Sequence, residues 1–144
     1  MPSETVVIAV DHAGFELKAT IKEQLSAMGY AILDLGTSGP KAVDYPDFAQ
    51  ALAAAVTEGL AQRGVLVCGS GIGMSIAANR HSGIRAALCN DADAARLSRR
   101  HNDANVLVMG ARVIGAEAAV ACVEAFFTTD FEAGRHVRRV EKLA

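Results

Sequence analysis

The chain carries no excess of basic charge, no apolar run of bilayer-spanning length, and no metal-binding spacing of cysteine or histidine. Each absence removes a class of function. A net charge of −2 and a pI near 6.1 argue against general nucleic-acid binding, which needs a basic face. Without a long apolar run there is no membrane span to assign, and the Met-Pro-Ser-Glu start lacks the charged and apolar regions of a secretory leader. Three cysteines, an odd number with no Cys-x-x-Cys among them, read as reduced thiols in a cytoplasmic protein. No His-Glu-x-x-His is present, so no metal is expected. Linkers, repeats and low-complexity segments are also missing.

What remains is 144 residues, 51% hydrophobic and 21% charged, enough for one globular domain over residues 1–144. Thr5–Val10 is a β-branched run of the kind buried on both faces of a parallel sheet. It leads through Asp11-His12-Ala13-Gly14 into a helical pattern, with Leu17, Ile21, Leu25 and Met28 apolar, Lys18, Lys22 and Glu23 elsewhere, and Gly29 as its stop. Tyr30–Asp34 reads as a second strand. Residues 36–45 form the longest irregular loop, and Pro46 starts an Ala-rich helix running to Glu58. Ile84–Leu88 and Asn105–Gly110 read as the fourth and fifth strands. Between them lies a helix capped by Asn90 or Asp91 and ending at His101-Asn102. An Ala/Val-rich helix through Phe127 and a short helical tail complete the chain. Strands alternating with helices predict a Rossmann-like three-layer α/β/α sandwich with a five-stranded parallel sheet and right-handed crossovers. The first strand is expected beside the second and third; the order of the last two is open.

The third strand and its turn, Val65-Leu66-Val67-Cys68-Gly69-Ser70-Gly71-Ile72-Gly73, carry the strongest local signal. Alternating glycines let a backbone reach φ > 0 and approach a ligand closely. Free N–H groups of such a turn, with the helix N-terminus behind them, suit an anion and favour the thiolate of a neighbouring cysteine. The bland alternative is a packing turn and a small buried thiol. Context favours the chemical reading. Asp11 and His12, and Cys68 and Ser70, fall at the ends of strands, with His101 and Asn102 one helix further on. The tail arginines read either as a solvated helix face or, because guanidinium forks match phosphate oxygens, as a phosphate clamp.

Taken together, Val10-Asp11-His12-Ala13-Gly14-Phe15, Asp44-Tyr45-Pro46, Cys68-Gly69-Ser70-Gly71-Ile72-Gly73, Ala77-Ala78-Asn79, Ser98–Asp103, Gly110-Ala111-Arg112-Val113 and Gly134-Arg135-His136 resemble type B ribose-5-phosphate isomerases. That family also includes galactose-6-phosphate and allose-6-phosphate isomerases. The resemblance covers essentially the whole chain. It implies aldose–ketose isomerisation through an enediolate, with no cofactor. Cys68 matches the base that moves a proton between C2 and C1, and Gly69, Gly71 and Gly73 belong to the turn that matches the enediolate anion hole. Ser70 and His101 match ring-opening residues, while Asp11 and Asn102 match contacts to sugar hydroxyls. His12, Arg112, Arg135 and Arg139 match phosphate-binding positions, with His136 beside them. The family's site lies between two subunits, so a homodimer or a tetramer of two dimers is implied.

Some family members lack the strand-end Cys and carry Glu after the last glycine. Here that position is Met74, which cannot accept a proton, so the cysteine-base branch is implied. Ser70 stands where many members of that branch have Thr. A full set of site residues in one chain favours ribose 5-phosphate over a six-carbon 6-phosphate. A non-catalytic binder of sugar phosphate or nucleotide is the reading from another class. Against a dinucleotide, the glycine turn follows the third strand, not the first, and lacks the later spaced glycine.

Overall fold

A computed structural model describes residues 4–144. In order, the elements are β1 (Thr5–Val10), α1 (Phe15–Ala27), β2 (Ala31–Asp34), α2 (Tyr45–Thr57), β3 (Arg63–Cys68), α3 (Ile72–Asn79), β4 (Ala86–Leu88), α4 (Ala92–Asn102), β5 (Val106–Gly110), α5 (Ala116–Thr128) and α6 (His136–Glu141). The strands form one sheet in the order β2-β1-β3-β5-β4, every pair parallel. The α/β architecture expected from the alternation of strands and helices is therefore present, with β1 beside β2 and β3.

The open question of the last two strands resolves with β5 inside and β4 at the edge. Burial explains the order. Every residue of β5 is buried, as its unbroken Val-Leu-Val-Met run requires, whereas β4 is short and half-exposed. Arg85 gives its backbone N–H to the Asn105 side chain (2.8 Å), so β4 starts at Ala86, two residues later than the apolar pattern begins.

Strand alternation divides the core in two. Val6, Ile8 and Val10 join Val65, Val67, Leu107 and Met109 under α1, α4 and α5, where Ile21, Leu25, Ala95 and Phe126 pack. Val7 and Ala9 join Leu66, Cys68, Val106 and Val108 under α2 and α3, against Leu52, Met74 and Ala78. Cys68 thus ends β3 on the α2/α3 side, directly before the turn.

Lys18 departs from its place on the polar side of the α1 pattern: it is buried. Its Nζ donates to Asp34 Oδ1 (3.1 Å) and to the Thr37 carbonyl (2.7 Å), while Lys22 Nζ donates to Asp34 Oδ2 (2.9 Å). Asp34 also accepts the Gly36 N–H (2.9 Å), so one carboxylate ties α1, β2 and the start of the long loop together. Burial alone would raise the Asp34 pKa. The bonds from Lys22, Gly36 and Lys18 outweigh it, and the pKa is lowered. A lowered carboxyl pKa stabilises the fold above the ordinary value of 3.8 and loses that contribution as pH falls through the lowered folded value. Asp34→Asn should lower the unfolding free energy by about 1–2 kcal/mol at neutral pH. In urea titrations the gap to wild type should close as the pH drops below 3.8; a gap that stays constant would contradict this role.

Candidate active site

The chemistry-bearing turn begins where β3 leaves the sheet. Cys68 is almost fully buried, and its Sγ accepts the Gly71 N–H at 3.1 Å. That bond requires the chain to fold back at once, which Gly71 does at φ +81°, in the left-handed region. A Cβ at Gly71 would stand 2.5 Å from Leu88 Cδ1 and about 3 Å from the Met109 carbonyl, so the position is closed to side chains twice over. The Ile72 N–H is taken by Ser70 Oγ (3.2 Å). The N–H groups of Ser70, Gly73 and Met74 have no acceptor among the described residues. They face the start of α3, where its dipole adds to their positive charge.

Neighbouring strand ends bring further groups to the same edge. The Asp11 N–H donates to the Val67 carbonyl (3.1 Å), and Asp11 Oδ1 accepts the Ala13 (2.9 Å) and Gly14 (3.2 Å) N–H groups. The carboxylate is thereby held in one orientation. His12 Nδ1 accepts the Val43 N–H (3.2 Å), which leaves Nε2 to carry the proton of the neutral ring. The Arg112 N–H donates to the Gly69 carbonyl (2.9 Å), and its guanidinium lies over Gly69, 3.4 Å from where a Cβ would be. Asp11, Cys68, Ser70, Gly73 and Arg112 line one open cavity of about 580 Å³.

His101, Asn102, His136 and Arg139 line a different cleft, of about 280 Å³. Asn102 also lines an adjoining cleft of about 430 Å³, with Asn79, Arg85 and Ala104. Arg135 caps α6, exposed beside His136. Topology accounts for the separation. β3 and β5 run parallel with Gly64 opposite Val106 and Cys68 opposite Gly110, and α4 ends only just before Val106. His101 and Asn102 therefore lie at the amino edge of the sheet, a strand's length of about 13 Å from Cys68. His101 and Asn102 do not gather with the strand-end residues as the sequence suggests. Within one chain the expected site residues form two groups at opposite edges.

Of the remaining motifs, several are structural. Asn79 bridges to Ala86 through its side-chain amide, donating to the carbonyl (2.9 Å) and accepting the N–H (2.8 Å). Arg99 is buried and donates to the Thr129 and Ala104 carbonyls and to Asp103. Four lining residues had no role assigned from the sequence: Tyr45, Ile72, Ile76 and Val113. Tyr45, in the Asp-Tyr-Pro motif, lays its ring where a Gly73 Cβ would stand, at 2.5 Å. An exposed apolar rim of Ile72, Ile76 and Val113 surrounds the mouth. Its signal in the sequence was apolar residues on the outer side of α3 and after β5, too sparse to separate from core.

Among the described residues, one group has the proximity of metal ligands: His101, Glu132 and His136. The two imidazole planes are nearly parallel, 15° apart with centroids at 4.4 Å, so their in-plane lone pairs do not converge. Arg135 and Arg139 raise the positive potential there. The surroundings suit an anion better than a cation.

A parallel α/β domain that presents a thiol, free amides and an arginine at the carboxyl edge of its sheet has the frame of an enzyme for a small anionic substrate. The ribose/galactose isomerase family model matches residues 6–143. Ribose-5-phosphate isomerase B of Escherichia coli K12 is 44% identical over 138 residues, covering 96% of this chain and 93% of the relative. D-erythrulose-4-phosphate isomerase of Pectobacterium atrosepticum is 42% identical over 141 residues, covering 96% and 92%. A solved ribose 5-phosphate isomerase of Thermotoga maritima superposes with a TM-score of 0.94 at 49% identity, covering 97% of both chains. The chain belongs to the ribose/galactose isomerase family and is an aldose–ketose isomerase. No helix among the described residues is long and apolar enough to cross a membrane.

The other two thiols are chemically quiet. Burial, aided by Cys122 and Asp91, pushes the Cys89 thiol up to about 11 despite a hydrogen bond with Ser98. Burial and then Asp91 raise Cys122. Iodoacetamide at pH 8 should therefore alkylate Cys68 in the folded protein and leave Cys89 and Cys122 free, as read by peptide mass spectrometry. Comparable labelling of Cys89 would contradict this assignment.

Proposed function

We propose that the chain interconverts ribose 5-phosphate and ribulose 5-phosphate, with Cys68 as the base that moves the proton between C2 and C1. The observation that carries this reading is the Cys68 Sγ, held by the Gly71 N–H at 3.1 Å beside amides that have no partner. On the open-chain aldose, the Cys68 thiolate takes the C2 proton and the C2–C1 π-bond forms as the carbonyl electrons move onto O1. The free N–H groups of Ser70, Gly73 and Met74 meet the negative charge that develops on the sugar oxygens, where preorganised donors are worth most. O2 then gives up its proton as its carbonyl forms, O1 gains one, and the Cys68 thiol returns its proton to C1. Asp11 accepts from sugar hydroxyls. His12 and Arg112 hold the phosphate from the same subunit.

Ring opening and the rest of the phosphate clamp fall to Ser70 with His101, and to Arg135 and Arg139 with His136 nearby; Asn102 binds hydroxyls. The place of His101, Asn102, Arg135, His136 and Arg139 at the opposite sheet edge supports a homodimer in which one subunit's amino-edge cleft faces the other's cavity. The exposed rim of Ile72, Ile76 and Val113 supports the same arrangement. On this reading residues 1–144 act as one catalytic domain, free of metal and cofactor, and three unpaired thiols fit a reducing cytoplasm. The relative acting on a four-carbon phosphate keeps chain length open as a second reading, so four-, five- and six-carbon phosphates belong in one assay.

Cys68→Ala should lose roughly 10²–10⁴-fold in kcat for ribose 5-phosphate, the usual worth of a positioned base, with KM little changed. A near-normal kcat in a folded variant would refute the assignment. Because Cys68 and Arg112 line one cavity, variants at these two positions should not rescue each other. Cys68→Ala mixed with His101→Ala should, because a two-fold dimer of the two variants keeps one intact site. Random pairing then restores up to about a quarter of wild-type activity. No recovery after denaturation and joint refolding would rule out the shared site.

A further inference from the structure

His136 is the first residue of α6 and is only 6% exposed, although it sits in a cleft lined by charged groups. Its ring stacks on His101 with centroids 4.4 Å apart and planes 15° from parallel. Its Nε2 is sealed from solvent without a hydrogen-bond partner; the nearest carboxylate oxygen, Glu132 Oε1, stands at 3.7 Å, beyond hydrogen-bond reach. A residue that grips phosphate must present its N–H to the ligand. His136 instead seals Nε2 and lays its ring face on His101.

His101 needs such support. It lies next to the last residue of α4, where helix ends fray, and its ring is half-buried. An acid–base group has to be held to within about 0.5 Å and 10–20° of its working geometry. We propose that His136 is a positioning residue for ring opening: its ring face fixes His101, and its nitrogens take no part in holding the phosphate. This rests on the assignment of His101 to ring opening made above. Burial and the cations around the platform disfavour its charged form, which limits repulsion of its neighbour. His101 and Arg100 face it from α4, Glu132 from the preceding loop, and Arg135 and Arg139 from its own segment. Burial, then His101, Arg135 and Arg139, lower the His136 pKa against the opposing pull of Glu132, whose carboxylate also lies 4.0 Å from Arg100 Nε. A group whose folded pKa is lowered takes up its proton only in more acid solution, and there the stack should fail.

The two substrates of the reaction separate ring opening from proton transfer. Ribulose 5-phosphate is acyclic, because the O5 that would close its ring carries the phosphate. Exchange of its C1 hydrogen with D2O therefore needs Cys68 and the amide turn but no ring opening. His136→Ala should lose about 10–100-fold in kcat for ribose 5-phosphate at little changed KM. It should keep its C1 exchange rate within about threefold of wild type, which also shows that it is folded. His136→Phe preserves the flat face and cannot take up a proton. Its kcat should stay within about threefold of wild type, and its activity should persist to lower pH. If His136→Phe is as impaired as His136→Ala, or if the loss appears in KM, a nitrogen of His136 is what the site uses and the proposal is overturned. Should His136→Ala not fold, the activity and acid limb of His136→Phe decide alone. C1 exchange that persists undiminished in Cys68→Ala would instead overturn the role of Cys68, a different failure from that of the stack.

Discussion

At the end of β3 the chain must pass from the middle of a sheet to the start of a helix within three residues, and the backbone of β5 stands directly across. Only Gly110 leaves room: a Cβ there would lie 2.4 Å from the Ser70 carbonyl group. With that contact in place, the Ala111 N–H donates to the Cys68 carbonyl (2.8 Å) and the Arg112 N–H to the Gly69 carbonyl (2.9 Å), so the turn and Arg112 are fixed together. The Gly71 amide then has nowhere to point but at the thiol. A buried thiol held by an amide, a turn with unpartnered N–H groups and an arginine beside it are thus consequences of one close approach between two strands.

The same parallel geometry limits what one subunit holds. Strands deliver their carboxyl ends to one edge, and the helices that return the chain end at the other. Asp11, His12, Cys68, Ser70 and Arg112 follow strands; His101 and Asn102 end a helix, and Arg135, His136 and Arg139 belong to a tail helix packed on it. A substrate the size of a pentose phosphate cannot touch both sets in one chain. The proposed homodimer would meet this limit, since a two-fold axis that set each cleft against the other chain's cavity would complete two sites at once.

Much of this was legible in the sequence. The β-branched runs of β1 and β3, the stop at Gly29, the Asp91 cap, whose Oδ1 accepts the Ala94 N–H (2.8 Å), and the glycine turn each have a local cause that survives in the fold. The order of β4 and β5, open from the sequence alone, follows in the fold from the unbroken apolar run of one and the arginine interrupting the other. The burial of Lys18 was not, because its partners Asp34 and Thr37 lie on another strand and loop, and helical periodicity sees only its own helix. The two-edge division was missed because proximity in sequence to a strand end says nothing of which end. The role of Tyr45 against Gly73 depends on packing between α2 and α3, which no short motif encodes.

The most direct test of this account is the crystal structure of the protein with ribose 5-phosphate trapped in the Cys68→Ala variant. The account predicts the sugar in the cavity at the carboxyl edge, with C1 or C2 close to where Sγ would stand, within about 3.5 Å. The Ser70 and Gly73 amides should face the oxygens, and His101 of a second subunit should stand at the furanose oxygen. A sugar phosphate bound instead in the cleft of Asn79, Arg85 and Ala104, or a site completed by a single chain, would contradict it.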